Sequence, residues 1–518
     1  MATVSRSLRD PNRSDPRNGT HPSPVMLRQS NLGEISARIG QPTYDRSQLT
    51  PGILHIGVGN FHRAHQAVYL DRLFRQGEDM DWAIIGAGVR PADTKMRNAL
   101  QGQDWLTSVV ELAPDGNNVL LSGAMIDFVE IDTDKLLNAL NDPAVRIVSL
   151  TITEGGYFMD EAIGGFDKTH PEVRYDGENP EAPKTVFGLM LAALKSRKEQ
   201  GIPPFTIMSC DNIPGNGHAA SAAMIGLAEL SDPAFAGWVM EHVAFPNSMV
   251  DCITPATSDR ERRLLVDQFH IEDAWPVFCE PYRQWVLEDK FSDGRPALEK
   301  VGVQFVDDVS SFELMKLRIL NGGHAAIAYP SVLLDIEYVH DAMSDPLIRN
   351  FLDRLELEEI MPIVPAVPGT DFANYYELIC ERFSNAGVAD TTARLCQDGS
   401  NRQPKFILPS VQAQLDQKGP MAGLALVPAL WCRYCAGFSE SGKPIVVEDI
   451  QADRLQALAL EARGNPQAFL SMEDVFGELA FNSRFSLAFS EALNNIWQNG
   501  VSATLAHYGN GPITDTQL

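Results

Sequence analysis

The sequence predicts an α/β protein in two parts, a Rossmann-type dinucleotide-binding domain followed by a mostly α-helical domain. The chain has 518 residues, more than one hydrophobic core usually supports, so two or more domains are expected. A short apolar strand, a glycine turn and a helix follow one another over residues 53–74, and periodic helical stretches dominate after residue 307. We predict a disordered tail at residues 1–28, the Rossmann-type domain at 29–306 and the helical domain at 307–518.

Composition narrows the functional class. The net charge of −26 argues against a nucleic-acid partner, because phosphate binding requires a basic face. No run of about 18 apolar residues occurs, so no membrane-spanning helix is predicted, and the polar first 25 residues do not resemble a signal peptide. The seven scattered cysteines fit a reducing cytoplasm. Cys432 and Cys435 are predicted to be buried thiols on a helix, since no further zinc ligand stands nearby.

The first element of the predicted sheet runs into a glycine turn. Gly57 and Gly59 occupy the first two glycine positions of the G-x-G-x-x-G fingerprint, where backbone N–H groups approach a pyrophosphate at a helix N-terminus. His62 takes the third position, so the fingerprint is incomplete. A tight strand-to-helix turn without a ligand is the alternative interpretation.

A second strand is predicted at Trp82–Ala87, and Asp93 follows it. An acidic residue after the second strand of such a sheet accepts hydrogen bonds from the adenosine ribose and repels a 2′-phosphate. Asp93 therefore favours NAD over NADP. Two alternatives stay open: Asp93 caps the helix that follows, or Arg90 accommodates a phosphate.

Polar residues also follow later apolar strands. The buried strand at 146–153 ends in Glu-Gly-Gly-Tyr, the strand at 205–209 is followed by Asn212, and a further apolar element ends at Asp251. Open α/β sheets bind ligands at the carboxyl ends of their strands. Asn212 is thus a candidate donor to a substrate oxygen, although it could equally be a turn residue.

The stretch Ser311–Pro330 is predicted to be a helix that opens the second half of the chain. At about 100° per residue, Lys316, Asn321 and His324 fall within an arc of roughly 140°, so one face could direct an amine, an amide and an imidazole at one point. An amine in apolar surroundings has a lowered pKa and can act as a base. The alternatives are a solvated lysine, an Asn-Gly-Gly helix end and a core histidine.

The stretch from Arg394 to Lys405 also includes Arg402 and reads as a polar, turn-rich loop with three cations. Guanidinium groups in such a loop could bind hydroxyls or a carboxylate. A solvated loop is the alternative.

Several motifs in order resemble the polyol-specific long-chain dehydrogenase/reductase family, from about residue 29 to the C-terminus. The resemblance implies a Rossmann domain and a helical domain with the active site between them, NAD as cofactor, no metal, and reversible oxidation of a sugar alcohol such as D-mannitol to the ketose D-fructose. We expect a monomer without a membrane or nucleic-acid partner. The matching motifs are Gly57-Val-Gly-Asn-Phe-His-Arg-Ala-His65, Thr151-Ile-Thr-Glu-Gly-Gly156, Ser209-Cys-Asp-Asn-Ile-Pro214, Trp285-Val-Leu-Glu-Asp-Lys290 and the set Lys316, Asn321 and His324.

The resemblance also implies roles for individual residues. Lys316 matches the family's general base, Asn212 and Asn321 match the pair that stabilises the oxyanion, and His324 matches a substrate-positioning residue. Glu313 matches a carboxylate that helps to move the proton to water. The remaining matches are the substrate contacts Asp251, Arg394 and Arg402 and the cofactor contacts Gly57, Gly59, Asn60, Phe61 and Asp93.

The sequence departs from the family pattern at two positions, and two other functions are alternatives to polyol oxidation. Arg402 stands where the family commonly has Lys, which changes shape and reach, and Ala92 stands where relatives often carry a second acid. A reductase acting on fructuronate and mannonate would use the same catalytic residues, and its carboxylate could bind the cations near Arg402. A non-catalytic NAD-binding sensor is the rival from another class.

Overall fold

The computed structural model describes residues 23–88, 90–160 and 164–511. Most of the tail that we predicted to be disordered, residues 1–22, lies outside these ranges. The prediction is wrong at the end of the tail, because Val25–Met26 forms a short strand that pairs in parallel with Ile271–Glu272. Backbone pairing to a distant strand orders this part of the chain.

The strands concentrate in the first 306 residues. In chain order they are β1 (Val25–Met26), β2 (Pro51–Ile56), β3 (Ala83–Ala87), β4 (Thr107–Glu111), β5 (Asn118–Ser122), β6 (Met125–Phe128), β7 (Ile147–Leu150), β8 (Met159–Asp160), β9 (Gly165–Phe166), β10 (Thr206–Ser209), β11 (Ser248–Asp251), β12 (Ile271–Glu272), β13 (Val277–Cys279), β14 (Gln284–Glu288) and β15 (Gln304–Val306).

The main sheet has five parallel strands in the order β10-β7-β2-β3-β6. Four of its strands, β10, β7, β2 and β3, are almost entirely buried, as expected for continuous apolar runs covered by helices on both faces. The edge strand β6 is half-buried. Strand order reverses on either side of β2, so the crevice at the carboxyl ends of β2 and β7 is the expected ligand position. This arrangement confirms the predicted fold class.

Two smaller sheets extend this half of the molecule. β11 pairs antiparallel with β14, which pairs in parallel with β15. β4 lies between β13 and β5 in the other sheet. The first of these sheets matters for the site, because β11 ends at Asp251.

The helices are short and most numerous after residue 307. In chain order they are α1 (Asn60–Ala64), α2 (Gln66–Phe74), α3 (Asp93–Gln101), α4 (Thr133–Leu140), α5 (Pro171–Glu178), α6 (Val186–Gln200), α7 (Asn216–Ser231), α8 (Pro233–His242), α9 (Asp259–Phe269), α10 (Ser310–Met315), α11 (Gly322–Leu333), α12 (Val339–Ser344), α13 (Pro346–Arg354), α14 (Phe372–Phe383), α15 (Thr392–Cys396), α16 (Gly399–Phe406), α17 (Leu408–Gln417), α18 (Ala422–Cys435), α19 (Ala452–Ala462), α20 (Gln467–Leu470), α21 (Glu473–Phe476), α22 (Ser483–Asn499) and α23 (Val501–Asn510).

α18 is the central helix of the second half. It is apolar on every face and buried from Gly423 to Cys435, which is typical of a helix enclosed by others. α11 and α22 pack against it. Cys432 and Cys435 are buried free thiols on α18, as predicted.

The predicted loop from Arg394 to Lys405 is wrong. The segment forms most of α15 and α16, joined by a turn in which Asp398 has φ 56°. Gly399 and Pro404 suggested a loop, but Gly399 is the first residue of α16. Pro404 lies inside the helix near its end, where it removes one backbone N–H without ending α16 before Phe406. Within the described part of the chain, no helix combines the length and the apolar character needed to cross a bilayer.

Candidate active site

A cavity of about 760 Å³ lies where the main sheet meets the helical half. One wall is formed by strand ends and the loops after them, and the other by the segment from Lys316 to Ala325 with α15 and α16. The predicted site residues that line it are Gly57, Gly59, Asn60, Phe61, Asn212, Asp251, Lys316, Asn321, His324, Arg394 and Arg402. Residues from distant parts of the sequence therefore share one cavity.

Gly57 forms the floor of the crevice between β2 and β7. Its φ is 96°, and a Cβ atom there would lie 2.2 Å from the carbonyl oxygen of Thr151, so only glycine fits. The Thr151 hydroxyl donates to the Gly57 carbonyl at 2.6 Å. A dinucleotide suits this backbone cradle, because bare peptide groups at the sheet's switch point can approach a pyrophosphate.

His62 explains the incomplete glycine fingerprint. Its imidazole is buried, stacks on His55 with 3.5 Å between ring centroids, and shares a hydrogen bond with Gln66 at 3.0 Å. Phe61 lies at the cavity edge and stacks on His65. The side chain at the third position of the fingerprint thus packs into the protein interior and leaves the backbone cradle at Gly57 unchanged.

Asp93 is the first residue of α3. Its carboxylate accepts from the Arg90 backbone amide at 3.0 Å, and its Oδ2 would lie 2.7 Å from a Cβ on Gly88, just beyond β3. This hydrogen bond goes to a residue before α3, whose N-cap position is Ala92, so it is not the capping role considered above. The position at the end of the second strand is the one that ribose recognition requires.

Lys316 begins a π-helical turn, Lys316–Asn321, that separates α10 from α11. A regular α-helix would place Lys316 and Asn321 about 140° apart. Because a π turn closes its hydrogen bonds between residues five apart, it brings these two side chains onto the same side. The structure therefore corrects the predicted regular helix and aligns the amine with the amide more closely.

The Lys316 amine has two protein acceptors. Its Nζ donates to the side-chain oxygen of Asn212 at 2.6 Å and to the carbonyl of Val250 at 2.6 Å. Burial lowers the pKa of Lys316, whereas the charge of Asp251 opposes this shift. A neutral amine has two N–H groups, so both acceptors are satisfied while the lone pair stays available to a ligand.

Asn321 and His324 continue the same face. Asn321 lines the cavity, and its amide makes no hydrogen bond to another of the described residues. The His324 ring stacks on Phe383 at 4.0 Å, and burial lowers the pKa of His324 to about 3. Its imidazole is therefore neutral near pH 7.

Glu313 lies one helical turn before Lys316, in a side cleft lined also by Asn212 and Lys316. Its carboxylate accepts from the Gly215 backbone amide at 3.1 Å, and burial raises the pKa of Glu313 to about 7. A carboxyl group with this pKa can both accept and release a proton near neutrality.

Asp251 is part of a buried ionic cluster that sequence reasoning missed. Arg382 donates to both oxygens of Asp251 at 2.7 and 3.1 Å and to both oxygens of Glu280 at 2.9 and 2.7 Å. The available signal was a charge on the apolar face of α14, where Arg382 follows Tyr375 and Ile379 at helical spacing.

Asp211 is a second residue that sequence reasoning missed. Its carboxylate accepts from the backbone amides of Ile152 and Thr153 at 2.9 and 2.8 Å and from the Tyr157 hydroxyl at 2.7 Å. Thr153 has φ 69°, which is strained for a β-branched residue. Asp211 thus holds a strained cavity wall, and its position beside Asn212 after β10 was the only hint.

Arg394 and Arg402 reach the cavity from α15 and α16. Arg394 pairs through Nε with one oxygen of Asp390 at 2.6 Å and through Nη2 with the other, whereas Arg402 donates to the Leu395 carbonyl at 2.8 Å. Lys405 pairs with Glu154 at 2.9 Å. The three cations therefore differ in how far protein carboxylates neutralise them.

Among residues 23–88, 90–160 and 164–511, no group of three or more His, Cys, Asp or Glu side chains is arranged to hold a metal ion. The expectation of metal-free chemistry stays a prediction. The polar atoms around Lys316 are instead amide, carbonyl and carboxylate groups.

Comparison with known proteins gives one consistent result. A model described as the mannitol dehydrogenase Rossmann domain matches residues 51–300, and one described as the mannitol dehydrogenase C-terminal domain matches residues 308–497. Mannitol 2-dehydrogenase of Cereibacter sphaeroides is 54% identical over 92% of this chain and 99% of its own.

Two solved structures resemble the whole molecule. That of Pseudomonas fluorescens mannitol 2-dehydrogenase, a ternary complex with NAD and D-mannitol, has a TM-score of 0.85 at 41% identity over 94% of this chain and 100% of its own. A D-sorbitol dehydrogenase in substrate-free form has a TM-score of 0.86 at 35% identity over 93% and 100%. The resemblance found in the sequence is confirmed, and the chain belongs to the mannitol dehydrogenase family.

Proposed function

We propose that this protein is an NAD-dependent mannitol 2-dehydrogenase, which oxidises D-mannitol to D-fructose reversibly and accepts related polyols. The observation that carries the proposal is the buried Lys316 amine, held by Asn212 and Val250 in a cavity that continues into the glycine crevice. The identity to proteins named mannitol 2-dehydrogenase supports the choice of substrate.

Five residues would hold the cofactor: Gly57, Gly59, Asn60, Phe61 and Asp93. When bound, NAD supplies the acceptor for the hydride that leaves the carbinol carbon. The cradle at Gly57 suits the pyrophosphate, and Asp93 suits the adenosine ribose. The Asp93 carboxylate favours NAD over NADP, because it would repel a 2′-phosphate.

Lys316, in its neutral form, removes the proton from the C2 hydroxyl. Asn212 and Asn321 donate amide N–H groups to the oxygen as negative charge develops there. Preorganised donors of this kind are worth on the order of 3 kcal/mol each. In the reducing direction, protonated Lys316 returns the proton to the oxygen.

Glu313 carries the proton from Lys316 toward solvent. Both side chains line the side cleft, and the pKa of about 7 that burial gives Glu313 lets it accept and release a proton at physiological pH.

The other polar residues of the cavity bind the substrate's remaining hydroxyls. Neutral His324 and the guanidinium groups of Arg394 and Arg402 donate hydrogen bonds to these hydroxyls. Asp251 accepts one, because a carboxylate has lone pairs beyond those used by Arg382.

We assign the protein to the cytoplasm, because its seven cysteines are free thiols and a reducing compartment preserves them. We propose a monomer, since one chain supplies both walls of the cavity.

A substrate panel tests the proposal. NADH formation would be measured with D-mannitol, D-arabinitol, D-sorbitol and D-mannonate, using NAD and NADP side by side. We expect the highest kcat/KM with D-mannitol and NAD. A clear preference for D-mannonate would favour the uronate reductase instead, with its carboxylate on Arg402, and NADH binding without turnover of any substrate would indicate a sensor.

A further inference from the structure

One buried ionic cluster, Asp251–Arg382–Glu280, joins the strand-bearing half to the helical half beside the cavity. Arg382 comes from α14 in the helical half, whereas Asp251 ends β11 and Glu280 follows β13. All three residues are nearly inaccessible: Asp251 is 5% exposed, Arg382 7% and Glu280 1%. Burying a charge is costly unless its partners are complete, so the three groups hold one another in place.

The geometry of the cluster is well defined. The guanidinium of Arg382 gives two N–H groups to each carboxylate, with N–O distances between 2.7 and 3.1 Å, and stacks over the ring of Tyr282 at 4.2 Å. Such paired contacts fix the orientation of both carboxylates more firmly than a single point charge would.

The same cluster fixes the strand segment that holds the catalytic amine. Lys316 donates to the carbonyl of Val250, immediately before Asp251. Glu280 also accepts from the backbone amide of Ile253 at 2.6 Å. Arg382 and Glu280 therefore anchor the segment from Val250 to Ile253 at two points, one through a side chain and one through the backbone.

We propose that Arg382 and Glu280 are positioning residues for the dehydrogenase reaction, which act on Lys316 through Asp251 and the Val250–Ile253 segment. The inference rests on the proposed role of Lys316 as base. Burial raises the pKa of Glu280, whereas Arg382 opposes this shift. With both carboxylates ionised, the cluster carries one positive and two negative charges, and its net charge beside the amine is −1. Removing one carboxylate makes this environment less negative and favours the neutral amine.

Two members of the cluster act on Lys316 directly, with opposite signs. Asp251 raises the pKa of Lys316 and Arg382 lowers it, although burial is the largest influence. Other titratable groups also face the amine or the cluster. They are Glu313 just before Lys316, His65 on the segment between α1 and α2, Tyr69 on α2, Cys252 after β11, Cys279 at the end of β13, Tyr282 beside β14, His324 on α11 and Tyr375 on α14.

Two conservative variants separate charge from geometry. Glu280→Gln removes one negative charge at nearly constant shape, and the rising limb of kcat/KM against pH for D-mannitol oxidation should move about half a unit toward lower pH. Arg382→Lys keeps the charge but loses the fork. It should lower kcat about 10- to 100-fold, because the amine of Lys316 is misplaced. KM should rise by a smaller factor, and the rising limb of kcat/KM against pH should keep its position.

Glu359→Gln is the matched control, because Glu359 is a buried carboxylate held by Gly423, Leu424 and Tyr508 away from the cavity. It should change thermal stability and leave the pH profile unchanged.

The inference would be overturned if both Glu280→Gln and Arg382→Lys kept wild-type kinetics and the wild-type position of the rising limb. A shift of that limb toward higher pH in Glu280→Gln would overturn it as well. If Glu280→Gln fails to fold, Arg382→Lys decides between the outcomes. A fall in kcat that exceeds the rise in KM supports the inference, and wild-type kinetics overturn it. A wild-type enzyme inactive on D-mannitol would instead refute the proposed function.

Discussion

Two π-helical turns lie in the described part of the helical half, and both carry buried ionisable side chains. Lys316–Asn321 begins with a lysine, and Leu355–Ile360 contains Glu356. Lys316 is 6% exposed, faces the cavity and has two acceptors. Glu356 is fully buried, and neither of its carboxyl oxygens has a hydrogen-bond partner among the described residues.

The surroundings of the ionisable groups differ between the two turns. Burial raises the pKa of Glu356 well above its usual value and so favours its neutral carboxyl form. The Lys316 amine is also shifted toward its neutral form, but it has a cavity in front of it and aligned partners. A shifted pKa alone therefore does not mark a catalytic group; the cavity and the partners do.

The largest expected effect is the loss of the amine. Lys316→Met keeps the length of the side chain and removes the base, so kcat for D-mannitol oxidation should fall by about 10²- to 10⁴-fold. Glu356→Gln, the matched change in the other turn, should leave kcat within about twofold, because ordinary substitutions away from the site have small effects. Steady-state NADH formation at saturating D-mannitol measures both. A Lys316→Met enzyme that retains most of its turnover would refute the assignment of the base.

A smaller effect is expected at the far end of the first turn. Asn321→Ala removes one of the two proposed oxyanion donors, and kcat should fall by about 10²- to 10³-fold. The KM for D-mannitol should change much less, since the donor acts mainly on the charge that develops during reaction. A kcat within a few-fold of the wild type would show that the π turn does not aim this amide at the reacting oxygen.

The sequence could reveal the parts of this site that follow from local pattern. Asn212 was found because it follows an apolar strand of the main sheet, and strand ends meet at one edge of a parallel sheet. Asp251 was found because it ends an apolar strand, although that strand belongs to a smaller sheet. Gly57 was found because the turn after the first strand demands a residue without a side chain. These features need no knowledge of distant contacts.

The remaining parts depend on pairings that no local pattern contains. Arg382 lies 102 residues from Glu280 and 131 from Asp251, and only the packing of the two halves brings them together. The π turn was missed because periodicity assumes a constant rotation per residue, whereas one extra residue in a turn is compatible with the same apolar spacing. α15 and α16 were taken for a loop because Asp398, Gly399 and Pro404 are common turn residues.

The smallest expected effect is on stability, and it sharpens the contrast between the two turns. Glu356 has a raised pKa in the folded protein and an ordinary one when unfolded, so above pH 4.5 the folded state binds more protons. The contribution of Glu356 to the free energy of unfolding is therefore fully present at low pH. It is lost as pH rises toward the pKa that Glu356 has in the folded protein. Glu356→Gln removes this loss without changing shape, so the melting temperature should match the wild type near pH 4 and exceed it by about 1–3 °C near pH 8. Thermal unfolding of both proteins at the two pH values tests this. An equal melting temperature at pH 8 would mean that Glu356 has found a charge partner, and the two turns would then differ only in the cavity that Lys316 faces.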